Sequence, residues 1–222
     1  MWAWVFDSGE GSQQASPAEV AQWCAANGYA WSALEIDDER FNPQTWWPAF
    51  RDAHLARGVI PGTWNTEGGN IYKTPSDAHF AICEIEGPGD WEGVANVIDG
   101  VGAGPLPTCS KAIITNFNFD PAGAAKLRNA GFSVLTEAYL NENPSASPEN
   151  MDNLARAYGW SASQAVAGVY PVGGMPPPSY EQWDFEWPMA DYLGEYLIHK
   201  PFVATAATLE TITRKLKGGV YV

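Results

Sequence analysis

Seven acidic residues could carry acid–base chemistry, because each falls at or near the end of a predicted β-strand. They are Asp7, Glu35, Asp37, Glu84, Glu86, Glu137 and Glu195. Crowded carboxylates disfavour one another's ionisation, which raises the pKa of some and leaves others charged. Glycoside hydrolysis uses such a pair, about 5 to 5.5 Å apart for retention and about 6.5 to 9.5 Å apart for inversion. The pattern therefore favours hydrolysis of a glycosidic bond.

Glu84 and Glu86 form an E-x-E pair on one predicted strand, with about 6.6 Å between their backbone positions. We assign Glu86 as the proton donor, with Glu84 or Asp37 activating or stabilising opposite it. Two other interpretations stay open. The carboxylates could cap helices or pair with arginines, or several could hold a hard cation such as Ca²⁺ or Mg²⁺. No other cofactor is expected.

Aromatic and amide side chains at other strand ends are candidates for substrate binding. These candidates are Trp64, Asn65, Asn116, Tyr139 and Tyr170. The chain has 11 Trp, and flat rings in a cleft are a common platform for sugars. Packing in the core is the alternative role for the three aromatic candidates.

The histidines and cysteines do not have the spacing of a metal site. They are His54, His79 and His199, and Cys24, Cys83 and Cys109. We expect His54 on a helix surface and the cysteines as small buried apolar residues.

Short apolar runs of β type alternate with helical segments along the whole chain, which indicates repeated βα units. Strands are predicted at 2–7, 30–37, 59–65, 80–86, 111–116, 132–139, 164–170 and 191–198. Helices are predicted at 17–27, 45–57, 90–101, 121–129, 148–158, 180–185 and about 205–216, with one or two turns within 70–78; a strand at 202–207 competes with the last helix. Ser16 and Asp120 are the predicted N-caps, and Gly28, Gly58 and Gly131 the predicted helix stops.

Eight strands with intervening helices predict one α/β domain over residues 1–222, a compact (β/α)8 TIM barrel with some short crossover helices. An open doubly wound sheet is the alternative, but no glycine-rich nucleotide motif follows a strand. In a barrel, the carboxyl ends of the strands form one mouth, where the acidic residues would gather.

The chain has 12 Lys and Arg against 26 Asp and Glu, a formal charge of -14. Such a charge repels phosphate backbones, so nucleic acid is not an expected partner. No apolar run is long enough for membrane insertion, and no export signal is visible, which favours a cytoplasmic location.

Three segments carry a resemblance to a known family. At Trp4-Val5-Phe6-Asp7-Ser8, Ala33-Leu34-Glu35 and Cys83-Glu84-Ile85-Glu86, the chain resembles glycoside-hydrolase-like barrels of the family-25 type. Those barrels begin with a strand ending in Asp and carry D-x-E on a middle strand, where this chain has E-x-E. The resemblance implies a TIM barrel acting on carbohydrate.

The chain also resembles, over nearly its whole length and most closely at 135–144, 168–171 and 192–197, barrel domains encoded among the tail genes of phages of actinobacteria. This resemblance implies a minor tail protein in the virion tail, assembled in the host cytoplasm. Cell-surface glycan and other tail subunits are the implied partners. The alternatives are an active soluble glycosidase and a purely structural tail subunit with a vestigial or cation-filled site.

Overall fold

The structure is a computed structural model that describes residues 2–5, 16–26, 31–36, 43–65, 67–101, 104–117, 120–137, 148–161, 165–169, 193–194 and 197–198. Strands and helices alternate along this part of the chain, as the sequence predicts. The predicted helices at 180–185 and 205–216, and the competing strand at 202–207, lie outside the described residues.

The described strands form one sheet in which every neighbouring pair is parallel. They are β1 (Trp2–Val5), β2 (Trp31–Glu35), β3 (Ile60–Asn65), β4 (Phe80–Ile85), β5 (Ser110–Thr115), β6 (Phe132–Glu137), β7 (Ala165–Val169), β8 (Leu193–Gly194) and β9 (Leu197–Ile198). Their order across the sheet is β8-β7-β6-β5-β4-β3-β2-β1-β9. The segment predicted as one eighth strand thus contributes two short strands, one at each end of this order.

Within the described residues, five α-helices connect the strands. They are α1 (Pro17–Ala26), α2 (Pro43–Leu55), α3 (Pro88–Ile98), α4 (Pro121–Asn129) and α5 (Pro148–Ala157). A short 3-10 helix, Gly68–Lys73, connects β3 to β4. Because each helix joins two parallel strands, it runs back from the carboxyl end of the sheet to the amino end.

Local capping explains where most helices begin and end. The hydroxyl of Ser16 accepts the N–H of Glu19 at 3.3 Å, and the carboxylate of Asp120 accepts the N–H of Gly123 at 2.7 Å, which confirms both predicted N-caps. Gly58 and Gly131 adopt φ of 72° and 84° after α2 and α4, a conformation that glycine accepts at little cost. These two predicted helix stops are therefore confirmed, and the third, Gly28, lies outside the described residues.

Two predicted boundaries are wrong for identifiable reasons. Helix α3 begins at Pro88 rather than Asp90, because the Asp90 carboxylate reaches back to accept the N–H of Gly87 at 3.1 Å. The predicted one or two helical turns within 70–78 are confirmed in length, but the helix spans Gly68–Lys73 and ends there because Pro75 disfavours a helical conformation at Thr74.

The two faces of the sheet bury different clusters. We define the inner face as the face of the sheet whose buried cluster contains only strand residues. These residues are Ala33, Trp64, Phe80, Ile82, Ile114 and Leu135. The other face packs against helices, and its cluster includes Ala81, Cys83, Ile85, Ile113 and Val134 together with residues of α3, α4 and α5. The alternation predicted along β4 is confirmed, since Phe80 and Ile82 lie on one face and Ala81, Cys83 and Ile85 on the other.

The amino end of the inner face is closed by apolar contacts. The rings of Trp31 and Phe80 lie 5.5 Å apart between centroids, and Phe80 is only 5% exposed. Gly62 lies against Phe80 so closely that a Cβ atom there would be 2.4 Å from the ring. Trp31 and Ile60, which are register partners, remain partly exposed at this end.

Candidate functional site

Two of the predicted catalytic carboxylates follow inner-face residues on their strands. Glu35 comes two residues after Ala33 on β2, and Glu84 comes two residues after Ile82 on β4. Since side chains alternate along a strand, both glutamates belong to the inner face near the carboxyl end of the sheet. Both are partly buried.

The register sets the spacing of these glutamates. Glu35 pairs with Trp64 and Trp64 with Ile82, so Glu84 lies two strands across from Glu35 and two residues further along. With about 4.8 Å between strands and about 3.3 Å per residue, their Cα atoms are about 12 Å apart. The gap between the two strands that carry them is filled by Trp64, so a direct contact requires both side chains to converge above its ring.

Glu86 follows the last residue of β4 and is exposed. Its backbone is anchored, because its N–H donates to the carboxylate of Asp90 at 3.3 Å and the next N–H, of Gly87, donates to the same oxygen at 3.1 Å. Asp90 is thus both the capping residue of α3 and the anchor for the proposed proton donor. The sequence signal for this role was the position of Asp90 at the start of a helix.

Asn116 reaches the same end of the sheet from β5. Ile85 and Thr115 are register partners, so Glu86 and Asn116 are the next residues of the two neighbouring strands. Both are exposed. Adjacent strands are about 4.8 Å apart, so the backbone places these two exposed residues side by side at the carboxyl end of the sheet.

Trp64 and Asn65 lie on opposite faces. Trp64 belongs to the inner-face cluster and is 3% exposed, which favours packing in the core over stacking on a ligand. Asn65 pairs in register with Cys83, so it belongs to the helix-covered face, where it is fully buried and donates from Nδ2 to the carbonyl of Ile82 at 3.1 Å. This placement separates Asn65 from the carboxylates of the inner face.

Six predicted site residues remain. Asp7, Asp37, Tyr139, Tyr170 and Glu195 lie outside the described residues. For Glu137 only the backbone is described, at the carboxyl end of β6, where it pairs with Gly168 of β7.

His54 is buried rather than on a helix surface as predicted. Its Nδ1 lies 2.7 Å from the carbonyl oxygen of Phe50, to which it donates, and its ring lies 3.8 Å from the Phe50 ring. Burial, and secondarily the charge of Arg57, lower the pKa of His54 from 6.5 to about 4. His54 is therefore a neutral core residue at neutral pH.

Thiolate and metal chemistry find little support in the described part of the chain. The three cysteines are free, and burial raises the pKa of Cys24 to about 12, which keeps its thiol neutral. Burial also raises the pKa of Cys109. Among the residues with described placement, His, Cys, Asp and Glu form no group of three or more able to hold a metal ion.

One cavity lies away from the inner face. Its volume is about 570 Å³, and it is lined by α3, α4 and the loop before β5, including Ile98, Leu106 and Lys126. An ion pair between Lys126 and Asp99 lies at this cavity. It is therefore separate from the carboxylates at the carboxyl end of the sheet.

A membrane-crossing helix, long and apolar enough to span a bilayer, is not found among the described residues.

Comparisons with known proteins bear on the fold alone. No protein-family model matches the chain, and no curated protein matches it. Among solved structures, the chain is similar to D-psicose 3-epimerase of Clostridium cellulolyticum H10, solved with D-tagatose. The two share 10% sequence identity with a TM-score of 0.54, over 98% of this chain and 97% of that chain. The chain therefore has an α/β fold of the TIM-barrel kind.

Proposed function

We propose that this protein is a phage minor tail component whose barrel binds or cleaves carbohydrate of the host cell envelope. The observation that supports the carbohydrate part is the position of Glu84, Glu86 and Asn116 at the carboxyl ends of the neighbouring strands β4 and β5, with Glu35 on the inner face of β2. The structural neighbour is an epimerase solved with a sugar, which is compatible with carbohydrate chemistry on this fold.

The proposal includes a closed eight-stranded barrel. Residues 193–194 pair with β7 and residues 197–198 pair with β1, with only two residues between them. A single eighth strand at 193–198 that contacts both neighbours would account for these pairings. Closure would bring β1, β2, β4, β6 and this last strand around one mouth, and with them Asp7, Asp37, Glu137 and Glu195.

The proposed reaction is hydrolysis of a glycosidic bond. Glu86 donates a proton to the glycosidic oxygen as the bond to the anomeric carbon breaks. The carboxylate of Glu84 or Asp37 takes a proton from a water molecule that attacks this carbon, or attacks it directly and is later released by water. Asn116, beside Glu86, would donate a hydrogen bond to a sugar hydroxyl.

The tail location is supported by the resemblance of the sequence to tail-gene barrels. The formal charge of -14 disfavours acidic wall polymers, so a neutral glycan, or an acidic one bridged by a divalent cation, is the proposed partner. Contacts with other tail subunits belong to the same proposal.

The decisive assay measures reducing sugar released from purified actinobacterial envelope. We expect wild-type protein to release sugar, and Glu86→Gln and Glu84→Gln to lose about 100-fold or more of the rate. Glu92→Gln is the matched control, because Glu92 is an exposed carboxylate that lies on helix α3 rather than on a strand. An undiminished rate in Glu86→Gln would remove the assignment of the proton donor.

Binding separates the enzyme from an adhesin. If wild-type protein releases no sugar but is retained on the envelope, and Asn116→Ala weakens that retention, the barrel is a carbohydrate-binding device. If the envelope is neither bound nor cleaved, with or without added Ca²⁺, the proposed function is wrong.

A further inference from the structure

Two buried side chains on the helix-covered face bind the carboxyl end of β4 to its neighbours. Asn65 of β3 donates to the carbonyl of Ile82 at 3.1 Å, and the hydroxyl of Thr115 of β5 donates to the carbonyl of Ile85 at 2.9 Å. Asn65 and Thr115 are fully buried. A buried carbonyl without a donor is costly, so these bonds fix where β4 ends.

The hydroxyl of Thr115 also makes a second bond. It accepts the N–H of Phe117 at 2.8 Å. Phe117 has φ of 65°, and it is the single non-glycine residue with positive φ in the part of the chain that the structure describes. An aromatic residue rarely adopts this conformation, which costs energy and persists only where its surroundings hold it.

The ring of Phe117 is held from the other side by aromatic packing. Its centroid lies 4.9 Å from the ring of Tyr158 and 6.1 Å from that of Trp160. Phe117 is buried while its neighbour Asn116 is exposed. The chain therefore turns sharply after β5, and the turn holds Asn116 at the edge of the sheet.

We infer that Thr115 is a positioning residue, whose single hydroxyl fixes Glu86 and Asn116 relative to each other. It is bonded to the carbonyl of the residue before Glu86 and to the N–H of the residue after Asn116. This inference rests on the proposed function, because it assigns the effect to the acid and the amide that would contact the sugar. Thr115 itself faces away from the ligand.

The chain offers a matched control for the hydroxyl. Thr136 of β6 is the register partner of Thr115, is equally buried, and its Oγ1 has no hydrogen-bond partner in the structure described. Thr→Val replaces a hydroxyl by a methyl group of similar size at both positions. Only at position 115 does this change remove bonds to the strand ends.

The test compares Thr115→Val, Thr115→Ser and Thr136→Val with wild type, on solubilised envelope oligosaccharide. We expect Thr115→Val to lower kcat by about 10- to 100-fold, with a smaller change in KM, because misplaced catalytic groups slow the chemical step most. Thr115→Ser should recover most of kcat, and Thr136→Val should match wild type. If the oligosaccharide is bound without cleavage, the same ordering is expected in Kd.

A kcat or Kd for Thr115→Val within about twofold of wild type would overturn the inference while leaving the proposed function intact. An equal loss in Thr136→Val would also overturn it, because the effect would then be general to the core. If Thr115→Val does not fold, the test compares Thr115→Ser, which keeps the hydroxyl, with Thr115→Ala, which lacks it. The inference then requires a higher rate in Thr115→Ser. If wild type neither binds nor cleaves, the proposed function fails first, and the inference fails with it.

Discussion

The two ends of the sheet are built from different chemistry. At the amino end, Trp31, Ile60 and Phe80 pack apolar side chains over the inner face, and Gly62 leaves room for the Phe80 ring. At the carboxyl end, the inner face carries glutamates, and the strand ends are joined by buried side-chain hydrogen bonds. If the proposed function holds, stability and chemistry are separated along the strands, so substitutions at the two ends should have different consequences.

The largest effect on stability is expected from Phe80→Ala at the amino end. Phe80 is nearly fully buried, and its loss should lower the free energy of unfolding by about 3–5 kcal/mol, measured by urea denaturation. Trp31→Ala is the control, because Trp31 packs on Phe80 but is 45% exposed, and should cost about 1–2 kcal/mol. Equal losses would mean that the ring of Phe80 does not close this end.

The second effect concerns pH, through His54 in the last turn of α2. The pKa of His54 is about 4 in the folded protein and 6.5 without burial, so below pH 6.5 the unfolded chain binds a proton that the folded chain does not. The free energy of unfolding should therefore fall by about 3 kcal/mol in total as the pH drops from 6.5 to 4. Above pH 6.5 this loss is absent, because His54 is then neutral in both the folded and the unfolded chain.

The variant His54→Asn tests this pH effect, because its side-chain amide can still donate to the carbonyl of Phe50 but does not titrate. The slope of unfolding free energy against pH should become flatter between pH 6.5 and 4. A slope in His54→Asn equal to that of wild type would contradict the buried, neutral state of His54.

A smaller loss is expected from Gly62→Ala. The added Cβ would lie 2.4 Å from the ring of Phe80 and force it to move, at a cost of about 1–3 kcal/mol. Gly89→Ala is the matched control in α3, where no atom lies within 4 Å of the new Cβ, and it should stabilise by up to about 1 kcal/mol. Thermal unfolding of both variants checks the difference, and a neutral Gly62→Ala would show that the amino end is loosely packed.

The smallest effect on stability is expected at the carboxyl end. Asn116→Ala removes an exposed side chain and should change the free energy of unfolding by less than about 0.5 kcal/mol. The same variant should weaken envelope binding or cleavage, because the amide stands beside Glu86. Unfolding and binding measured on one preparation check both parts, and a large loss of stability would assign Asn116 to the fold instead.

Local patterns predicted much of this fold. The alternation on β4 assigned Ile82 and Cys83 to opposite faces, and the caps at Ser16 and Asp120 set helix starts, because both depend on residues close in sequence. The predicted start of α3 at Asp90 was wrong. Asp is common at the first position of a helix, but here its side chain accepts the N–H of Gly87, three residues earlier.

Features that depend on distant residues were not predictable. His54 has the polarity of a surface residue, but α2 packs against α1 and β3, and His54 is fully buried. Trp64 and Asn65 are neighbours on β3, so alternation alone puts them on opposite faces, but the register with β4 decides which of the two faces the inner cluster. The role of Thr115 depends on where the neighbouring strand ends, which the sequence around Thr115 does not contain.

The most direct test of the central claim is a crystal structure of the protein with an oligosaccharide from actinobacterial envelope. The account predicts a sugar at the carboxyl end of β4 and β5, with its oxygens within hydrogen-bond distance of Glu84, Glu86 and Asn116. A sugar bound only in the cavity between α3 and α4, or at the apolar amino end, would contradict it.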